Sequence, residues 1–379
     1  MPVESLGIAA APEKRSAGDR TIGRIPVRNL WLLMLYASEF IRIGGEAWIG
    51  LDEDPEDLPN LVAELLCRIV EKRLRRNLSS GYQNRQDVLT RVRGRIDVLQ
   101  TERRRLLERG RVACRFEHLT LDTPRNRLVR SALETLARIV AGHDLQYRCR
   151  RLGADFVALG VGPRKPTAVE MSADRFGRRD ADDRAMVALS ELAHDLALPA
   201  EDAGSNLLFA PNREELWVRR LYEKAVAGFY QVTLRDRGWD VQAGRQLSWP
   251  VDAGTTGMSE ILPGMRTDIV LTLRARERRI VIDTKFSAIV TPGWYRAELL
   301  KSGYLYQIYA YLRSQEGDTI ADRAEGLLLH PAIGGQLVDE AVRMQGHVIR
   351  FSTVDLSATA AEIRQRWLHV VEKPVLQFN

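Results

Sequence analysis

The chain has 379 residues, 45% of them hydrophobic and 28% charged, with a formal net charge of +6. That length exceeds what a single hydrophobic core commonly supports and suits two domains with ordinary globular cores. No run of about 18 apolar residues is present to cross a membrane, and the spacing of the three cysteines excludes a C-x-x-C zinc site or a disulfide framework.

Residues 1–20 lack the charged start and apolar stretch of a signal peptide and read as a disordered tail, which places the chain in the cytoplasm. The six histidines show neither H-x-H nor H-E-x-x-H spacing, so a metal is expected on carboxylates, which favours Mg²⁺ or Mn²⁺. The apolar stretch 25–40 predicts an extended entry followed by a helix, with Asn29 suited to cap it. A second helix is expected over 59–77 with Leu61, Leu65, Leu66 and Ile69 inward. Residues 86–99 alternate and contain Gly94, which predicts strands with a bend, and 116–119 reads as another strand. Thr123 and Pro124 open an amphipathic helix over 125–141, with Leu128, Leu133, Leu136 and Ile139 inward. From Arg68 to Arg115 there are fifteen Lys or Arg against five Asp or Glu, a surplus that suits phosphate backbones or an acidic protein partner.

The span 155–205 reads as short helical segments, and 202–206 as a domain boundary. A helix is then expected over 213–237. Extended segments follow at 241–250, 267–274 and 279–286, then a helix over 299–314 and an apolar strand over 327–330. A strand at 347–351 and a helix over 358–371 close the chain. The order helix, three strands, helix, strand describes an α/β layer domain.

The chemistry concentrates in two apolar strands that end or begin with carboxylates, one carrying Asp268 and the other Asp283 and Lys285. Pairing across the charged turn at 274–279 brings the two aspartates together at one end of a hairpin. Side chains alternate along a strand, so Asp283 and Lys285 share a face with Thr284 opposite. Two carboxylates and a lysine suit phosphodiester hydrolysis, the carboxylates holding Mg²⁺ and the lysine stabilising transition-state charge. A D-x-K triplet alone is weak evidence, but ending an apolar strand with charge is costly unless it has a use. Glu223 on the preceding helix is a candidate further ligand; otherwise it is a surface carboxylate paired with Arg219. Gln307 and Tyr311 share a helix face by their spacing and, with Tyr304, offer an amide and aromatic groups to a DNA strand; their alternative is ordinary packing at a helix–sheet seam.

In that order, helix Glu, strand Asp, D-x-K and helix Q-x-x-x-Y resemble the PD-(D/E)xK nuclease superfamily and its branch with a Q-x-x-x-Y motif, with Thr267 in place of the usual proline. The segments 25–30, 94–96, 126–133, 221–224, 265–268, 281–285, 305–307 and 326–329 are together similar to the McrC family, the nuclease subunits of McrBC-type restriction systems. That resemblance implies an α/β fold: a C-terminal PD-(D/E)xK restriction-endonuclease-like domain (206–379), its mixed sheet flanked by helices, preceded by an α+β partner-binding region (21–205). It implies Asp268, Asp283, the Thr284 carbonyl and Glu223 as metal ligands, Lys285 as the catalytic cation, and Gln307 and Tyr311 as DNA-positioning groups. It further implies cutting of modified double-stranded DNA together with a McrB-like AAA+ GTPase ring. The sequence holds no G-x-x-x-x-G-K-S/T loop, so GTP would act only through that partner. A non-cutting regulator of an AAA+ ring and a stand-alone nuclease of the same fold are the competing readings.

Overall fold

A computed structural model describes residues 21–22, 25–43, 52–53, 55–176, 181–201, 211–286, 290–291, 299–317, 320–332 and 337–373. The expected tail, 1–20, and the expected boundary, 202–206, lie outside the described residues. The principal elements in chain order are α1 (Val27–Ala37), α2 (Leu58–Leu74), β1 (Gly81–Leu89), β2 (Arg95–Ile96), β3 (Val112–Thr120), α3 (Pro124–Ile139), α4 (His143–Ala158) and α5 (Ala181–Glu201). There follow α6 (Pro211–Thr233), β4 (Asp240–Ala243), β5 (Ile269–Leu273), β6 (Arg278–Thr284), α7 (Ser302–Arg313), β7 (Glu325–Ala332), β8 (Asp339–Met344), β9 (His347–Asp355) and α8 (Ala360–Glu372).

Two compact units result, Pro59–Ala197 and the combination of Met1–Leu58 with Leu198–Asn379. The expected division put everything from residue 21 to 205 into the first region, whereas α1 packs within the unit that carries residues 211–373. The reason lies in α1, whose apolar circumference is buried nearly all round. It packs on α6 at Gly228, where a Cβ would lie only 1.8 Å from the Tyr36 carbonyl oxygen. Tyr36, Phe229 and Trp367 then form an aromatic cluster with ring centroids 4.9–5.9 Å apart, joining α1, α6 and α8. Asn29 does not cap α1. Pro26 holds the cap position, and buried Asn29 instead donates from Nδ2 to the carbonyls of Leu356 at 2.7 Å and Ala358 at 2.9 Å.

In the unit 59–197, three strands pair antiparallel in the order β1-β3-β2. The bend expected at Gly94 is present with φ +68°, and a Cβ there would sit 2.5 Å from the Arg115 carbonyl oxygen. Helix α2 turns Val62, Leu66, Cys67 and Val70 inward, while Leu61, Leu65 and Ile69 are only half-buried, a rotation from the expected face. Helix α3 starts as expected, with Thr123 accepting from the Asn126 N–H. Of the short helical segments expected over 155–205, one is present at Ala168–Ala173, while 155–158 ends the 16-residue α4 and 181–201 forms the single 21-residue α5. Pro199, which suggests a break, falls in the last turn of α5.

The other unit carries a mixed six-stranded sheet in the order β8-β9-β7-β6-β5-β4. Strands β6, β7 and β9 are parallel neighbours, and β4, β5 and β8 pair antiparallel. Near-continuous apolar runs such as Ile280–Ile282 and Leu327–Leu329 suit central strands covered on both faces. Helix α7 covers one face, setting Ile308, Tyr311 and Leu312 against Val281, Leu328, Ile349 and Phe351. Gly326 admits this approach, since a Cβ there would meet Ile308 Cγ1 at 2.8 Å. The expected helix at 299 begins only at Ser302, because Leu299–Leu300 is extended. The edge strand β8 was not among the expected elements. Among the described residues, no helix is long and apolar enough to cross a membrane.

Candidate active site

Strands β5 and β6 form the expected hairpin, with Ile269 opposite Ile282. Continuing that register by one step sets Asp268 opposite Asp283 at the end of the sheet. Asp268 is half-buried, and its Oδ2 accepts from the Thr284 N–H at 2.7 Å and from the Thr284 hydroxyl at 2.8 Å. Asp283 is 1% exposed, with Lys285 Nζ 2.7 Å from its Oδ2. Beyond that ion-pair contact neither Asp283 oxygen accepts a hydrogen bond.

Lys285 is itself buried, and a relay of groups fixes it. Its main-chain N–H donates to the Leu329 carbonyl at 3.0 Å, continuing the β6–β7 ladder. Its Nζ donates to Gln307 Oε1 at 2.9 Å; Gln307 Nε2 donates to the Tyr311 hydroxyl at 2.6 Å; and that hydroxyl donates to the Arg266 carbonyl at 2.8 Å. The relay returns to the chain two residues before Asp268, so α7 and the hairpin lock each other. Lys285 Nζ also lies 5.0 Å from the centroid of the Tyr304 ring.

Burial raises the Asp283 carboxyl to about 6, opposed by the Lys285 charge and assisted by that of Asp268. Glu223, half-buried on α6, is raised by burial and then by Asp268, while Arg266 and Arg219 pull it down. The Tyr311 hydroxyl is raised by burial, with Asp283 and Asp268 adding to it. Glu223, Asp268, Asp283 and Tyr311 therefore share one electrostatic neighbourhood; the hairpin and the shared face of Gln307 and Tyr311 are as the spacing predicted, and α7 brings that face to Lys285.

Among the described residues, no three His, Cys, Asp or Glu side chains converge tightly enough to hold a metal ion by themselves. The fit to a divalent cation rests on the Asp268–Asp283 pair and on the buried Asp283 oxygens that lack hydrogen-bond donors. Mg²⁺ is commonly held by one or two carboxylates, with water and phosphate completing its shell.

Sequence reasoning missed three contributors. The Thr284 side chain serves Asp268 rather than the far face. The Arg266 main-chain carbonyl terminates the relay, and no side-chain pattern reports such a role. His330, one step past the Thr284–Leu329 pairing, falls beside Lys285 and lies 6.0 Å from the Tyr304 ring. The signal for it was available: like Lys285, it is a polar residue close behind an apolar run, here Leu327–Leu329.

The model of the family "McrBC 5-methylcytosine restriction system component" matches residues 9–331. The type IV methyl-directed restriction enzyme EcoKMcrBC of Escherichia coli (strain K12) is 24% identical over 346 residues, covering 90% of this chain and 94% of its own. Among solved structures, a half-complex from a tetradecameric assembly of Thermococcus gammatolerans McrB AAA+ hexamers with bound McrC is similar with TM-score 0.40 and 14% identity. That similarity covers 83% of this chain and 68% of the other. The cryo-EM structure of the T. gammatolerans McrBC complex is similar with TM-score 0.32 and 16% identity over 44% of this chain and 54% of that one. A family match over that span makes this chain a member of the McrBC 5-methylcytosine restriction system component family.

Proposed function

We propose that the chain is a nuclease subunit of PD-(D/E)xK type, cutting modified double-stranded DNA with Mg²⁺ or Mn²⁺ in concert with a McrB-like AAA+ GTPase ring. The observation that carries this reading is the convergence of Asp268, Asp283 and a buried, triply anchored Lys285 at the open end of one hairpin. Asp268 and Asp283 would hold the cation. The Thr284 carbonyl would join them: in an extended strand a residue's N–H and C=O leave by the same edge, and the Thr284 N–H already points to Asp268. Glu223 would serve as auxiliary ligand, in keeping with its coupling to Asp268.

A bound divalent cation supplies neutralising charge at the scissile phosphate and acidifies the attacking water. Lys285 brings a fixed positive charge to phosphate oxygens as negative charge builds on them, and costs no reorganisation because Gln307 already holds it. Gln307 and Tyr311 keep that ammonium aimed; of the two, half-buried Gln307 would present a polar edge to the DNA strand, while Tyr311 is buried and would position it from within. Nucleotide chemistry is assigned to the partner, since the sequence has no phosphate-cradling G-x-x-x-x-G-K-S/T loop. The region 59–197 is assigned to engaging and stimulating the ring.

The test is cleavage of modified and unmodified plasmid by the purified chain with Mg²⁺, with and without a McrB-like partner and GTP. Cutting of modified DNA only with partner and GTP, abolished in Asp283→Ala while complex assembly persists, is expected. Stimulated GTP hydrolysis with no cutting under any condition would replace this reading with that of a regulator, and cutting by the chain alone with that of an autonomous nuclease.

A further inference from the structure

The unit 59–197 contains a cleft of about 420 Å³ that the nuclease reading leaves without a role. Its wall is made by Arg73 and Arg76 at the end of α2, by Ser79 and Ser80 in the following turn, and by Arg125 and Arg175. Thr123, the cap of α3, also lines it, so the positive end of a 16-residue helix faces the same space.

Two of these guanidiniums are fixed. Arg125 donates to Asp174 at 2.8 and 2.7 Å and to the Arg175 carbonyl at 2.8 Å, with Phe176 stacked 4.4 Å from its centre. Arg73 Nε lies 2.7 Å from Asp183 Oδ1, and the same carboxylate reaches Arg125 at 3.3 Å and accepts from the Ser79 hydroxyl. Asp183 is only 1% exposed. A buried carboxylate that orients two arginines from behind pre-sets their donors, which is how planar guanidiniums are prepared for phosphate oxygens. Arg76 and Arg175 are exposed and add two more charges. The lining thus carries four arginines, of which Arg73 and Arg125 are paired with the carboxylates of Asp183 and Asp174, within a span already rich in Lys and Arg.

We propose that this cleft is a phosphate-binding site, taking either a backbone phosphate of duplex DNA or the phosphates of a nucleotide. It is independent of the hairpin site and of the assignment of nuclease activity.

The full chain is tested in EDTA, so that no cation bridges DNA to the carboxylates. A short fluorescent duplex is titrated at several salt concentrations, and GTP and pyrophosphate are titrated calorimetrically. The variant Arg76→Ala/Arg175→Ala leaves the buried Asp183 network intact; Arg103→Ala/Arg104→Ala removes equal charge from an exposed stretch of the same unit. Loss of duplex affinity by about tenfold in the first variant only, with the salt slope lower by about two, supports a backbone site. Loss of GTP and pyrophosphate binding in the first variant only supports a nucleotide site. Equal losses in both variants, or no loss in either, overturn the proposal.

Discussion

Asp268 Oδ2 accepts two hydrogen bonds from one residue, Thr284, through its main-chain N–H and its hydroxyl. The pair ties the start of β5 to the end of β6 and leaves the other Asp268 oxygen to the site. Thr284→Val keeps the β-branched shape and the main-chain bond and removes only the hydroxyl. The Mg²⁺ concentration for half-maximal cleavage is expected to rise about tenfold, the usual scale for a supporting hydrogen bond to a ligand. An unchanged Mg²⁺ titration would show that the hydroxyl does not orient Asp268.

The burial that raises Asp283 to about 6 also makes stability depend on pH. Its folded value lies above the ordinary carboxylate value of about 3.9, so the group's favourable contribution is complete below about pH 4 and is lost as pH rises through about 6. Without divalent cation, the wild-type chain should therefore lose about 2–3 kcal/mol relative to Asp283→Asn between about pH 4 and pH 7. Cation binding favours the ionised form, so Mg²⁺ should raise the Tm clearly at about pH 7.5 and little at about pH 5. Thermal melts across pH with EDTA or Mg²⁺ read both effects; parallel wild-type and Asp283→Asn curves would remove Asp283 as their source.

Lys285, Gln307, Tyr311 and the Arg266 carbonyl form one directional relay, and the Lys285 ammonium is also paired with Asp283. Tyr311→Phe deletes the hydroxyl that accepts from Gln307 and donates to Arg266. The ring stays in the α7 core, so stability should fall by only about 1–2 kcal/mol. Cleavage should fall about tenfold through kcat, since the ammonium is loosened without loss of charge. Lys285→Ala should abolish cleavage with the fold retained, and a Tyr311→Phe enzyme with full kcat would mean that Gln307 alone aims the lysine.

Most of this site was legible because its parts lie on regular elements with fixed periods. Alternation set Asp283 and Lys285 on one face, and spacing by four set Gln307 beside Tyr311. What was not legible depends on the ends of elements and on distant chain. Thr284 is placed by the register at the end of β6, which no local pattern fixes. Strand β8 escaped because Asp339, Glu340 and Arg343 give an edge strand the composition of a loop. The attachment of α1 to the second unit escaped because its partners lie some 190 to 330 positions away, at Phe229, Trp367 and the Leu356 carbonyl.

That attachment gives the most direct test of the fold. Gly228 faces the Tyr36 carbonyl so closely that a methyl group would sit 1.8 Å from the oxygen. Neither partner can yield, because the oxygen belongs to the α1 backbone and Tyr36 is held in the aromatic cluster with its hydroxyl donating to Asp52 at 2.5 Å. In an isolated helix, Gly→Ala would stabilise by about 1 kcal/mol. Here the clash should dominate, and Gly228→Ala should destabilise by about 3 kcal/mol or more, the upper range for overpacking. Denaturant melts would read the loss, and limited proteolysis should cut near residues 25–43 first as α1 is displaced. A Gly228→Ala chain as stable as wild type, with α1 equally protected, would mean that the two helices do not meet at this contact.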